Sequence, residues 1–206
     1  MNTNQCFEYL VKEIHTVVLS TVDQDNHPIT CAIDIMDFDE NNLYFLTAKG
    51  KSLYKRLKEN PHIAFTGIQG KDTLSSIAVS VQGEVREIGA DFIAHLFEIN
   101  PYMESIYPTV QSRSALTVFQ IHKGTGEYFD LSKQPIERYR FSFGSSTQIS
   151  HGYVVNNQCI GCKLCLSKCP QQCVDVSSIP AVIQQEHCLH CGNCYEICPA
   201  RAIEWR

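Results

Sequence analysis

No apolar run in this chain approaches the ~20 residues that carry a helix across a bilayer. Positive charge is also short: 17 Lys+Arg stand against 22 Asp+Glu in 206 residues, a formal net charge of −5. Residues 1–148 hold 13 basic and 18 acidic side chains, and residues 149–206 hold four of each. Neither stretch has the basic excess of a nucleic-acid binder. Met1–Leu10 has no basic start and no apolar h-region after it, so a cytoplasmic protein with reduced thiols is expected. A nucleotide phosphate loop is missing as well. Gly50-Lys51-Ser52 resembles its tail, but the glycine needed five positions before Gly50 is Phe45. No residue of the first 148 stands out as a general acid or base. His15 at a strand start and His27 in a turn read as structural, and Cys6 and Cys31 as ordinary thiols.

Cysteine is what the chain has in excess. Eight of its 11 cysteines form two copies of one pattern, C-x2-C-x2-C-x3-C-P. Cys159, Cys162, Cys165 and Cys169 precede Pro170; Cys188, Cys191, Cys194 and Cys198 precede Pro199, 29 residues later. The spacing is that of bacterial two-cluster ferredoxins. Three cysteines on a tight loop wrap three corners of an iron–sulfur cube. The fourth starts a turn pointing away and ligates the other cube. One [4Fe-4S] cluster is therefore expected on Cys159, Cys162, Cys165 and Cys198, and the second on Cys188, Cys191, Cys194 and Cys169. A structural zinc site would use two separated pairs instead of a run of three. Cys173 is left over, and its counterpart in the second copy is Ala202. A buried spare thiol is favoured there over an extra ligand. His187 and His190 flank the second loop and read as surface or hydrogen-bonding residues. Val174–Val176 and Ile203–Trp205 read as short strands that pair with Ala181–Gln185.

So small a segment cannot fold on hydrophobic burial alone, and its clusters would act as its core. The small polar run within Ser142–Gly152 marks the boundary. We expect domains at 1–148 and 149–206.

The first part alternates strand and turn signals. A helix is expected over Gln5–Ile14, with strands at Thr16–Val22, Ile29–Phe38 and Leu43–Thr47 and turn chemistry between them. Ser52–Asn60 reads as a helix ended by Pro61. His62–Gly67 and Ile77–Ile88 are strands, the second interrupted at Gly83. Ala90–Ile99 is a helix. Ala115–Ile121 and Gly126–Leu131 read as a hairpin across Lys123-Gly124-Thr125. Six or seven antiparallel strands with few helices suggest an α+β unit built on a small closed barrel.

Lys49, Lys51, Lys55, Arg56 and Lys58 concentrate positive charge where a strand gives way to a helix, a place that suits a phosphate. Leu19–Val22, the turn through Pro28, Leu43–Thr47, Lys49–Ser52 and Glu59–Phe65 together resemble the pyridoxamine 5′-phosphate oxidase-like split-barrel flavoproteins, over about Phe7–Leu131. The resemblance implies an antiparallel split β-barrel and a homodimer with FMN at the interface. It implies that Thr47, Lys49, Lys51 and Ser52 hold the FMN phosphate and ribityl chain. Ala32, Ile33 and Asp34 would line the flavin ring, and Gln111–Ser114 would reach the flavin of the other subunit. Leu53 stands where several members have a lysine. The substrate site of true pyridoxamine phosphate oxidases has no counterpart, so vitamin B6 oxidation is not expected.

Flavin and clusters in one chain imply an oxidoreductase, expected in an anaerobe, that couples an external one-electron carrier to two-electron flavin chemistry on a small-molecule acceptor. The alternatives are a non-catalytic electron carrier between protein partners and a flavin-binding stress-type module. An open cavity over the flavin favours the enzyme; a plugged one favours the carrier.

Overall fold

The structure is a computed structural model that describes residues 1–147 and 151–206. The chain divides into two compact units. The first comprises Met1–Gln69, Ala78–Glu127 and Phe141–Gln148; the second comprises Gly70–Ile77, Tyr128–Arg140 and Ile149–Arg206. The expected cut between residues 148 and 149 lies outside the described residues.

In the first unit, helix α1 (Thr3–Tyr9) is capped by Asn2 and continues into a π-helical turn at Leu10–Ile14, where one helix was expected. The turn ends at His15, a non-glycine residue at φ 61°, ψ −65°. Strands β1 (Thr16–Val22), β2 (Pro28–Asp34), β3 (Asp37–Phe38) and β4 (Leu43–Ala48) follow. Helix α2 spans Ser52–Glu59, close to expectation, because Leu53 and Leu57 share its buried face and Pro61 stops it. β5 (His62–Gln69), β6 (Ile77–Gly89), β7 (Leu116–Asp130) and β8 (Glu137–Phe143) complete the sheet.

The strand order is β2-β1-β5-β6-β7-β4-β3, with β8 on β7. It begins and ends on one bent segment, Pro28–Phe38, so the sheet curls back on itself as an antiparallel split barrel. The break at Ile35 and Met36 lets one half pair with β1 and the other with β4.

One expectation fails. Lys123-Gly124-Thr125 is not a turn; β7 runs straight through it for 15 residues, and its hairpin partner is β8. The glycine serves close approach instead. A Cβ on Gly124 would sit 2.5 Å from the Gln82 carbonyl oxygen, and one on Gly83 2.5 Å from that of Lys123. Two facing glycines let β6 and β7 meet at a spot where side chains would collide.

The core is aromatic. Phe7 meets Phe143 and Phe141 edge-on at 5.0 and 6.0 Å, and Phe45 stacks on its cross-strand partner Phe119 at 5.7 Å.

The second unit is made of short pieces. β9 (Tyr153–Val155) pairs with β12 (Ile203–Trp205), and β10 (Val174–Asp175) with β11 (Val182–Ile183). The expected pairing of Ala181–Gln185 therefore holds for β10 only; the last strand takes Tyr153–Val155, a strand too short to show in the sequence pattern. Residues Tyr128–Arg140 belong to this unit. The Ile136 amide donates to Gln171 Oε1 at 3.0 Å, and its carbonyl lies 2.8 Å from His187 Nδ1. Among the described residues no helix is long and apolar enough to cross a membrane.

Candidate cofactor sites

A cavity of about 490 Å³ opens in the first unit between β2, the end of β4 and the start of α2. Ala32, Ile33, Asp34, Thr47, Lys51 and Ser52 all line it. Lys49 does not: it is exposed, with its backbone N–H on the Ala115 carbonyl at 2.8 Å. Gln111–Ser114 are not in the wall either. Arg56, which the sequence put in the basic run but not among the assigned cofactor residues, also lines the cavity and donates from Nε to Thr21 Oγ1 at 2.8 Å. Its position gave the signal: it follows Ser52 by one helical turn, on the same face.

This wall has the features a phosphorylated ligand needs. Thr47 is 3% exposed, and its Oγ1 has no hydrogen-bond partner among the described residues. A buried hydroxyl left so costs about 1–3 kcal/mol, which a ligand acceptor or donor removes. α2 begins at the wall on Lys51 with no side-chain cap, and the first amides of a helix have no intrahelical acceptor. Lys51 and Arg56 add charge there. Cys31 lies on the opposite side. Burial pushes its thiol pKa up, against the pull of Arg56 and Lys51.

Asp34 is the one carboxylate of the wall among the described residues. It accepts from Thr16 Oγ1 at 2.7 Å and Tyr102 Oη at 2.9 Å, and His15 Nε2 stands 3.5 Å away. Burial, then the Asp34 bond, pushes the Tyr102 pKa up. A wider groove of about 630 Å³ lies elsewhere in the unit, by Ser20, His62 and Lys123. It contains none of the expected cofactor residues, and the chemistry favours the smaller cavity.

Two cavities in the second unit are lined by thiols. Cys159, Cys162, Cys165 and Cys198 face one; Cys188, Cys191, Cys194 and Cys169 face the other. Each thus takes three thiols from its own loop and the fourth from the other repeat. The loops bend through left-handed residues, Gly161 and Lys163 in the first, His190 and Gly192 in the second. Backbone amides approach sulfur, His190 N to Cys188 Sγ at 3.4 Å and Ala202 N to Cys198 Sγ at 3.3 Å. Burial and the neighbouring Cys188 push the Cys194 thiol up to about 11, and burial raises Cys165 too. Crowded thiols are held as thiolates by a neighbouring cation, which iron supplies. The donor sets fit iron–sulfur clusters.

Cys173 also faces the second cavity, with its Sγ 3.4 Å from that of Cys169. The His190 ring meets the Arg138 guanidinium and stands edge-on to Trp205 at 5.2 Å. His187 and His190 are thus hydrogen-bonding residues of the second unit.

Residues 4–129 match the family model for pyridoxamine 5′-phosphate oxidase, and residues 151–199 that for a 4Fe-4S dicluster domain. Over 48 residues the chain is 50% identical to a component of an ion-translocating oxidoreductase complex of Methanosarcina acetivorans, covering 23% of this chain and 18% of that one. The chain therefore spans under a fifth of that relative's length. A NimC/NimA family protein of Clostridium acetobutylicum shares the fold at TM-score 0.58 and 20% identity, over 69% of this chain and 92% of that one. A protein of that organism related to general stress protein 26 superposes at TM-score 0.53 and 17% identity, over 70% and 97%.

Proposed function

The chain belongs to the pyridoxamine 5′-phosphate oxidase family, and from that premise we propose that it is a cytoplasmic oxidoreductase dependent on FMN and two [4Fe-4S] clusters. It takes single electrons from an external carrier and uses them, through the flavin, on a small-molecule acceptor. It works as a homodimer with FMN at the interface.

The observation that carries this is Thr47. A buried hydroxyl with no partner among the described residues lies in a wall shared with an uncapped helix start and two cations, in a chain that also holds one cavity lined by four thiols and one lined by five. When bound, FMN supplies the exchange between one- and two-electron steps. Lys51, Ser52, Arg56 and the start of α2 would hold its phosphate. Thr47 Oγ1 would hydrogen-bond the ribityl chain or phosphate. Ala32 and Ile33 would exclude water beside the ring. Asp34, fixed by Thr16 and Tyr102, presents its carboxylate to whatever occupies the cavity.

A cavity of about 490 Å³ lies within the range of small-molecule and cofactor sites, as a pocket for FMN requires. The test is an FMN titration followed by flavin fluorescence, with an anaerobic donor and acceptor screen. Wild type should bind FMN, and Thr47→Val should bind it more weakly by about tenfold, the loss of one hydrogen bond of ~1.4 kcal/mol. Equal affinity would remove Thr47 from the site. No FMN binding at all would end the flavin reading.

A further inference from the structure

Five thiols face the second cavity where four suffice for one cluster. We propose that Cys173 is an interchangeable source of its fourth ligand, so that Cys169 or Cys173 can complete the cluster held by Cys188, Cys191 and Cys194. The first cluster has no such reserve. The inference rests on the cluster reading above and adds a ligand to it.

The two repeats are a built-in control. After the fourth cysteine of each repeat, the chain reverses in the same way. Gln172 N–H reaches the Cys169 carbonyl at 3.2 Å with φ 54°, and Arg201 N–H reaches the Cys198 carbonyl at 3.1 Å with φ 49°. This left-handed turn brings the residue four positions on back beside the cysteine. In the first repeat that residue is Cys173, 2% exposed; in the second it is Ala202, 1% exposed. Each lines the cavity to which its neighbouring cysteine contributes. Backbone geometry is shared, so the thiol is the difference. Ala202 shows that the position needs only a methyl group for packing.

At 3.4 Å from Cys169 Sγ, the Cys173 sulfur reaches the same corner with a side-chain rotation and little backbone movement. Both sulfurs cannot hold one iron together in a cube whose irons are each tetrahedral. The step is a ligand substitution. The Fe–Sγ bond to Cys169 breaks, or is absent in a variant, and one to Cys173 forms. The incoming thiol releases its proton to water, the departing thiolate takes one up, and no electron moves.

The test uses the full chain, reconstituted anaerobically, with iron and acid-labile sulfide per chain and the electron paramagnetic resonance of the reduced protein. Wild type, Cys173→Ala and Cys169→Ala should each carry about eight irons, whereas Cys169→Ala/Cys173→Ala and Cys198→Ala should fall to about four. Cys169→Ala should also change the resonance of one cluster only. Adding Ala202→Cys to Cys198→Ala should restore the first cluster and return iron to about eight. A fall to about four in Cys169→Ala, retention of about eight in the double variant, or no restoration by Ala202→Cys would each overturn the proposal. Wild type with no labile sulfide would sink the cluster reading and this inference with it. Losing the cluster only in Cys169→Ala sinks the inference alone.

Discussion

The two units solve the same problem with different materials. The first buries rings: Phe7 against Phe141 and Phe143, and Phe45 on Phe119. Its strands reach 13 and 15 residues. Apart from the ends of β7 and β8, the second has strands of two or three residues, and half its buried cluster is cysteine: Cys169, Cys173, Cys188 and Cys194 beside Val174, Ala181, Ile183 and Ile203. Hydrophobic burial holds the first without a ligand. The second needs bonds to metal, because its apolar surface is too small to offset the entropy of ordering its loops.

Removing iron should produce the largest effect. Chelation under denaturant-free conditions should unfold the second unit and leave the barrel intact. Trp205 is the only tryptophan and packs on Tyr153 at 5.0 Å, so its fluorescence reports the second unit alone. Its emission should shift to that of a solvated indole while the far-ultraviolet dichroism of the sheet persists. An unmoved emission would mean that the second unit has a sufficient core of its own.

The converse variant sharpens the contrast. Phe119→Ala removes a ring that is 1% exposed and should destabilise the barrel by about 3–5 kcal/mol in urea. Iron content should not change. Smaller effects are expected at the flavin wall. Lys51→Ala and Arg56→Ala should each weaken FMN about tenfold or more, since a charge-assisted bond contributes about 1.5–3 kcal/mol. Lys49→Ala, outside the wall, should change affinity less than threefold, as ~0.5 kcal/mol from an exposed charge would give. An equal loss in Lys49→Ala would return the basic patch to a general field effect.

The smallest effect belongs to pH. Burial pulls the Glu87 pKa up, but hydrogen bonds from Thr117 and Lys58 overcome it and hold the carboxyl below its ordinary 4.5. A carboxylate depressed on folding stabilises the fold above its unfolded pKa. That contribution is lost as pH falls from 4.5 through the lowered value. Glu87→Gln should flatten the acid limb of the barrel's stability curve in that window and leave the second unit's limb unchanged.

The thiol spacing made the two cysteine sets that line the second unit's cavities legible, because a cube constrains sulfur positions more tightly than any pattern of hydrophobicity does. Of the residues carried over from the family resemblance, Ala32, Ile33, Asp34, Thr47, Lys51 and Ser52 meet in one cavity, whereas Lys49 and Gln111–Ser114 do not. What stayed hidden depends on tertiary contact. Gly124 looked like a turn because glycine marks both turns and close strand approaches, and only the facing Gln82 carbonyl separates the two. Arg56 was one charge of five in a basic run, and only the seating of α2 beside Thr47 separates it from Lys49. The strand at Glu137–Phe143 was legible in the alternation of Tyr139, Phe141 and Phe143 with Arg138, Arg140 and Ser142, and it went unread.

The membership of the second unit bears on how such a chain could arise and be taken apart. Ile136, which anchors both Gln171 and His187, is encoded before any residue of the cysteine repeats. A gene fragment starting at residue 149 would carry every cluster cysteine and still lack that anchor. A fragment so cut would leave the two hydrogen bonds of Ile136 behind. Swapping in a foreign ferredoxin would need Ile136 and Arg138 to be redesigned with it.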